Sequence, residues 1–229
     1  MTVKTTKPGT VAPERIMIPA LHREATIVAG SLDEKQRTFD IVWTAGAEVP
    51  RMDCWTGQRY VEILQVDAES IRLARLESGR APVLDSHQRW QLGNVMGVIE
   101  KGTTKIGDGV ARATVRMSNR EELAGLLGDI RDGIIANVSP GYVTHAYREE
   151  VRDGITYRTA TDWEPIEISF VPVGADLDAG LARSLADPKR PGVDTYPCMV
   201  TRAIAALPAN GSTAAAQARM RMRARALGL

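Results

Sequence analysis

The chain has few of the residues that build disulfide-linked or membrane-spanning structures. Its 229 residues include only two cysteines, Cys54 and Cys198, which lie far apart in the sequence. Two isolated cysteines without a secretory signal predict free thiols in a reducing compartment. No apolar run reaches the roughly 18 residues of a membrane-spanning helix, and Met1 to Pro19 contains no apolar core of signal-peptide length. We therefore expect a soluble intracellular protein with no membrane partner.

Other classes of site are also missing from the sequence. No set of histidine, cysteine and carboxylate residues has metal-ligand spacing, and no glycine-rich phosphate-binding loop is present. We therefore expect neither a metal nor a cofactor. The formal net charge of +1 gives the whole molecule no strong electrostatic preference for nucleic acid. Only three histidines, His22, His87 and His145, can serve as an uncharged base near neutral pH.

The length predicts one domain of about 150 residues with an extension at each end. Residues 1–30, which begin rich in threonine, lysine and proline, read as a flexible N-terminal arm. Residues 31–186 form the predicted domain. Residues 187–229 read as a linker followed by a basic tail rich in alanine and arginine, without a single acidic residue from Thr195 to Leu229.

The hydrophobic pattern predicts a mainly β fold with flanking helices, an α+β chain built as a closed or nearly closed barrel. Two helices are predicted, at 67–76 and at 119–132; Ser118 and Glu121 form the S-x-x-E pattern of a capping box before the second helix. The predicted strands are 38–43, 59–65, 81–84, 92–100 with 109–117 as a hairpin, 134–142, 143–151 with 155–161 as a second hairpin around Gly154, and 165–173.

Three separate segments carry the residue types of a serine hydrolase. His87 follows a short apolar strand and is the candidate general base, which then returns the proton to the leaving group. Ser139 is the candidate nucleophile on the strand that also carries Gly141, where the missing side chain would let a substrate or oxyanion approach the backbone. Glu167 is the candidate third residue that orients the imidazole. A serine hydroxyl becomes a good nucleophile only when a base removes its proton, and the histidine base needs a third group to fix its tautomer.

Several residues compete for these roles. Ser169 is the main rival nucleophile, since strand alternation places it on the face of Glu167, opposite the apolar residues Ile166, Ile168 and Phe170. A second histidine, His145, lies about 20 Å along an extended strand from Ser139 and fits poorly as a third residue. The remaining alternatives are two serines and three carboxylates: Ser86, Ser118, Asp85, Asp162 and Glu164.

These segments resemble the HK97-type phage prohead maturation protease family, which is distantly related in fold to the herpesvirus assembly proteases. The resemblance rests on Leu84 to His87 with the later Gly93 and Gly97, on Ser139-Pro140-Gly141-Tyr142, and on Glu167 to Asp176. It covers roughly residues 35 to 185. Two positions depart from the family pattern: Pro140, where an aliphatic residue is commoner, and Gly174, where proline is frequent. Pro140 also removes a backbone donor beside the nucleophile.

The resemblance implies a herpesvirus-protease-like β-barrel and a serine endopeptidase with His87, Ser139 and Glu167 as catalytic residues. Its implied substrates are the scaffold or delta segment and the major capsid protein, cleaved inside the assembling prohead in the host cytoplasm, with self-cleavage as an extension. A homodimer is implied only by fold analogy. The oxyanion donors stay open, with the amides near Gly141 as candidates.

Two alternatives to a protease remain. The same fold could serve as a catalytically inactive procapsid scaffold, or as a capsid accessory protein whose basic tail binds nucleic acid. The tail itself has three interpretations: an inert extension, a nucleic-acid-binding segment, or an assembly segment that the protease removes. We favour the third interpretation. Outside the tail we expect no contact with nucleic acid.

Overall fold

The computed structural model describes residues 13–19, 21–22, 25–53, 55–172 and 195–202. Short 3₁₀ turns occur at Leu92–Asn94 and Glu121–Leu123. The described residues form two α-helices, α1 (Ala74–Glu77) and α2 (Ala124–Arg131). The strands are β1 (Glu14–Pro19), β2 (Leu21–His22), β3 (Ala25–Ile27), β4 (Thr38–Thr44), β5 (Val49–Met52), β6 (Arg59–Leu64), β7 (Pro82–Asp85), β8 (Val95–Ile99), β9 (Lys105–Gly107), β10 (Val110–Met117), β11 (Asn137–Arg152), β12 (Ile155–Phe170) and β13 (Thr195–Arg202).

Seven of these strands close into a barrel. Their hydrogen-bonded order is β11, β3, β4, β10, β8, β7 and β12, and β12 pairs back with β11 to complete the ring. All neighbours run antiparallel except β7 and β12, which are parallel. Closure removes the free edge that an open sheet would present. The predicted mainly β fold with a barrel and few helices is confirmed.

Strict alternation along the strands fills the barrel. In β4, Phe39, Ile41 and Trp43 are buried, whereas the residues between them are more exposed. The same period of two runs along β10, as expected for strands with one face on a core. The Trp43 ring meets Trp163 edge to face at 5.9 Å, and Phe39 lies 6.1 Å from Phe170. These aromatic contacts tie β4 to β12 across the interior.

A long hairpin joins the barrel to a second set of strands. Each arm, β11 and β12, has 16 residues, and a two-residue turn at Asp153 and Gly154 connects them with positive φ at both positions. Beyond the barrel, β13 pairs in parallel with β11 and β6 in parallel with β12. The outer strands β1 and β5 then complete a six-strand distal sheet, in the order β1, β13, β11, β12, β6 and β5.

The hairpin corrects one sequence-based expectation. The sequence predicts a strand at 134–142, a separate hairpin and a final strand at 165–173, but the structure has two continuous strands that bend at bulges. One bulge places Ile166 opposite no residue of β11, between the pairs Glu167 with Gly141 and Pro165 with Tyr142. Such an extra residue bends a strand and raises its local twist, so it ends the simple alternation that put Ile166 on the core face.

The first predicted helix is largely absent. Instead of a helix at 67–76, only the four residues of α1 are helical. The Asp67 carboxylate accepts the backbone N–H groups of Glu69 and Ser70 at 3.0 and 2.8 Å. A side chain that captures nearby amides in this way offers the backbone an alternative to a helix. The apolar residues at 67–76 therefore belong to an irregular segment that packs against the core. Within it, Ile71 forms an isolated β-bridge with Trp163.

The second predicted helix exists but is shorter than predicted. A 3₁₀ turn occupies its first residues, and α2 covers only Ala124–Arg131. The predicted capping box does not form, because the N-cap residue of the 3₁₀ turn is Arg120 and has no side-chain cap. The Ser118 hydroxyl instead accepts the N–H of Arg120 at 3.4 Å.

Parts of the predicted arm and tail belong to the sheet. Within the segment read as a flexible arm, β1 pairs with β13, whereas β2 and β3 pair with β11. Ile18, in the first apolar cluster of the chain, is buried there. Residues 195–202 of the predicted linker and tail form β13. Residues 1–12, 20, 23–24, 187–194 and 203–229 of these two segments, including Arg219 to Arg225, lie outside the described residues.

A buried acidic residue anchors the distal sheet to the barrel. Glu62 on β6 has no solvent exposure and lies 3.1 Å from the Arg51 guanidinium. The Tyr142 hydroxyl donates to it at 2.6 Å, and the Tyr147 hydroxyl donates to its other oxygen. Burial, with the charge of Glu62 adding to it, raises the pKa of Tyr147 well above its usual range. The buried carboxylate is thus both ion-paired and hydrogen-bonded, which its burial requires.

Candidate functional site

A tight turn after β7 positions His87. The N–H of Gln88 donates to the carbonyl of Asp85 at 2.8 Å, which makes Ser86 and His87 the two central residues of the turn. Both have positive φ, 47° and 61°. Non-glycine residues adopt this left-handed region at a cost of about 1–2 kcal/mol each, so the surrounding structure must hold them there. The Ser86 N–H donates to the carbonyl of Phe170 at 2.9 Å, which ties the turn to the end of β12.

The turn brings His87 against Glu167. His87 Nδ1 and Glu167 Oε1 are 2.7 Å apart, although 80 residues separate them in sequence. Both side chains are mostly buried, with 12% and 6% of their surface exposed. An ionised carboxylate can only accept a hydrogen bond, so this contact places a proton on Nδ1 and makes Nε2 the basic nitrogen. That is the arrangement required of an imidazole that works as a general base.

Gly141 creates the space in which Glu167 lies. The two residues are directly opposite on β11 and β12. A Cβ atom at position 141 would come within 2.0 Å of Glu167 Oε1 and 2.9 Å of its Cδ. The absence of a side chain at Gly141 therefore admits the carboxylate, rather than a substrate as the sequence suggested. Because Gly141 pairs with β2 and with β12, its amide lies in the plane of the sheet, which weakens the interpretation of this amide as an oxyanion donor.

Ser139 lies on the same face, one strand away from the pair. It is directly opposite Ser169, and such antiparallel partners have Cβ atoms about 4.5–5.5 Å apart. Its residue surface is 6% exposed, and no described residue makes a hydrogen bond with its hydroxyl in the structure. The structure thus brings His87 into contact with Glu167 and places Ser139 on the strand face of Glu167, opposite Ser169. Their catalytic roles stay predictions.

The competing residues lie in other settings. Ser169 is fully buried and donates its proton to Glu167 Oε2 at 2.6 Å, so its hydrogen is already used. The Ser86 hydroxyl donates to Asp85 at 2.8 Å. Among the carboxylates, Asp162 forms a two-bond pair with Arg72, whereas Glu164 lies near Arg75 and His145. Of all the weighed carboxylates, Glu167 is the one that contacts the His87 ring.

Sequence reasoning missed two features of this site. The first is that Gly141 leaves space for the Glu167 carboxylate. The signal available in the sequence was the matching spacing of Ser-x-Gly on one strand and Glu-x-Ser on the other. The second is the fold of the His87 turn, since two consecutive non-glycine residues with positive φ are uncommon. Among the described residues, no group of three or more histidine, cysteine or carboxylate residues could hold a metal ion. No helix in the described part of the chain has the length and apolar character to span a membrane.

One known protein provides a comparison. A protein named major capsid protein, from Halomonas phage phiHAP-1, is 36% identical to this chain over 142 residues. The match covers 62% of this chain and 23% of the relative, so it spans about a quarter of that protein's length. No protein-family model matches the chain, and no solved structure matches it significantly. The chain is therefore related to a phage capsid protein.

This relationship corrects the predicted function. From its resemblance to a protease family, the chain was expected to be the endopeptidase that cleaves scaffold, delta segments and the major capsid protein during prohead maturation. That assignment is wrong, because the relative bears the name major capsid protein, which points to a structural role rather than to a protease. The finding favours the alternative, a procapsid scaffold or capsid accessory protein. The connection to phage capsids, which the same analysis predicted, is confirmed in this coarser form.

Proposed function

We propose that this chain is a structural component of a phage procapsid, where its barrel domain binds capsid protein subunits during assembly. The similarity to a phage major capsid protein carries this proposal. The matched length, 142 residues, is that of a single domain. A closed barrel suits such a role, because it offers capsid subunits a surface with few open strand edges and little tendency to aggregate.

Assembly in trans tests this proposal. The Halomonas phage protein lacking its matched segment is co-expressed either with this chain or with its own matched segment as the positive control. We expect this chain to co-sediment with the resulting particles, and we expect Ser139→Ala to do so equally well. If the control segment associates and this chain does not, the structural proposal is wrong.

The basic tail extends this proposal to nucleic acid. From Thr195 to Leu229 the sequence has five arginines and no acidic residue. A segment of this kind binds phosphates by counterion release, so its affinity falls steeply with salt. We expect purified protein to bind DNA with a salt-dependent affinity that is lost when residues 214–229 are removed. Unchanged binding after the truncation would exclude the tail as the contact.

A second candidate is peptide-bond hydrolysis at Ser139, and the contact between His87 and Glu167 is the observation that favours it. In this scheme Ser139 Oγ attacks a carbonyl carbon while His87 Nε2 accepts its proton. The carbon–nitrogen bond then breaks as His87 returns the proton to the leaving amine, and water hydrolyses the acyl-serine. The order of the three segments also supports the finer assignment of the barrel to the herpesvirus-protease type.

An active-site probe tests the hydrolytic candidate without requiring a known substrate. A fluorophosphonate reacts with serines that are activated by a neighbouring base. We expect intact-mass spectrometry to show a single adduct, mapped to Ser139, that is absent from Ser139→Ala and from His87→Ala. An adduct that survives in either variant, or no adduct in wild type, would exclude this chemistry.

A further inference from the structure

The geometry assigns Ser169 to a positioning role: its hydroxyl holds the Glu167 carboxylate and the His87 turn in register with each other. The effect of this role on catalysis rests on the hydrolytic function proposed above for Ser139. The Ser169 hydroxyl donates to Glu167 Oε2 at 2.6 Å. The same oxygen accepts the backbone N–H of His87 at 3.0 Å. One buried hydroxyl therefore touches both members of the pair.

The two contacts constrain different parts of the site. The bond to Oε2 fixes the rotation of the Glu167 carboxylate, so that Oε1 faces the His87 ring. The bond from the His87 amide holds a residue whose φ of 61° is unfavourable for a histidine. Without the hydroxyl, the partly buried amide of His87 would lose this acceptor and the carboxylate one of its donors. Both changes would loosen the imidazole that the general base requires.

Ser169 is also distinguished from the serine opposite it. Its proton is donated to a carboxylate, whereas no described residue makes a hydrogen bond with the hydroxyl of Ser139. Two serines face each other across β11 and β12, and the structure separates their roles: Ser169 orients the pair, and Ser139 is left to react. The Glu-x-Ser spacing makes this possible, because alternate residues of a strand share a face.

The test compares Ser169→Ala with Ser169→Thr, which keeps the hydroxyl, and with Ser70→Ala, which removes another buried serine away from the site. The first readout is the NMR signal of the His87 Nδ1 proton, which a bond to a carboxylate moves downfield. We expect this signal in wild type, Ser70→Ala and Ser169→Thr, and its loss in Ser169→Ala. If Ser169→Ala does not fold, Ser169→Cys replaces it, because sulfur keeps the volume but is a weak hydrogen-bonding group.

The second readout is the rate at which a fluorophosphonate labels Ser139, measured across pH. A small misplacement of a catalytic group lowers rates by about 10- to 100-fold, and we expect that loss in Ser169→Ala with recovery in Ser169→Thr. An Nδ1 signal and a labelling rate both unchanged in Ser169→Ala would overturn the inference. If wild type itself is not labelled, the hydrolytic candidate fails, and the NMR signal alone decides whether Ser169 holds the pair.

Discussion

Replacing Gly141 by alanine should disrupt the contact between His87 and Glu167 from the opposite strand. The new methyl group would lie 2.0 Å from Glu167 Oε1, so the carboxylate must move by more than 1 Å to reach an ordinary contact distance. Its bonds to His87, at 2.7 Å, and to Ser169, at 2.6 Å, cannot survive such a shift. The site would then lose the orientation of its imidazole.

The expected loss of stability follows from these two bonds. Hydrogen bonds to charged groups contribute about 1.5–3 kcal/mol each, and the displaced carboxylate regains part of this from water. We therefore expect Gly141→Ala to lower the free energy of unfolding by about 3 kcal/mol. For a chain of this size that corresponds to a fall in Tm of about 6–12 °C. At an unconstrained strand position the same substitution is stabilising by roughly 0.5–1 kcal/mol, because glycine loses more backbone entropy on folding.

Thermal and urea unfolding of five proteins, the wild type and four variants, provides the measurement. Gly107→Ala is the matched control, since a Cβ there, also in a strand, meets nothing within 4 Å. Glu167→Ala and the double variant complete a cycle that isolates the clash. We expect Gly141→Ala to cost far less stability once Glu167 is already alanine. Equal losses in both backgrounds, or a Gly141→Ala protein as stable as Gly107→Ala, would refute the placement of the carboxylate over Gly141.

Three further results are expected from other buried groups. Glu62→Gln should cost about 3–5 kcal/mol of stability, because it leaves the Arg51 charge buried without its partner, whereas Glu100→Gln on the surface should change stability by less than about 1 kcal/mol in the same urea assay. Folding raises the pKa of Tyr147, so its contribution to the free energy of unfolding is complete below about pH 10, the pKa of tyrosine in the unfolded chain, and is lost as the pH rises above that value. Urea midpoints that stay constant up to pH 12 would contradict this. Burial raises the pKa of the free Cys198 thiol to about 12, so iodoacetamide at pH 8 should modify it only after unfolding, as checked by peptide mapping.

Strand alternation made much of the fold predictable. The strands at 38–44, 59–64 and 82–85 and the hairpin of β8 with β10 correspond to segments that the sequence predicted. The helices were predicted less well, because local side-chain bonds such as those of Asp67 compete with helix formation and no periodicity reveals them. The continuity of β11 and β12 was also missed, since bulges interrupt the alternation by which a strand is recognised.

The functional assignment shows a different limit. The resemblance to the prohead protease family predicted a connection to phage capsids, and the similarity to a protein named major capsid protein confirmed it in this coarser form. The same residues predicted a maturation endopeptidase, which the comparison contradicted. A histidine, a serine and a carboxylate on separate strands identify chemistry that a fold can support, but a fold can host several roles.

The sequence by itself determined which side chains share a strand face. Alternation places Glu167 with Ser169 and separates both from the apolar Ile168, because successive side chains of a strand point to opposite sides. Only the tertiary structure decided which strands meet and in what register. The contact of His87 with Glu167, the space above Gly141 and the left-handed turn at Ser86 and His87 all depend on the pairing of β12 with β7 and β11. Long-range pairing is set by the packing of the whole barrel, and a one-residue change in register would separate these groups.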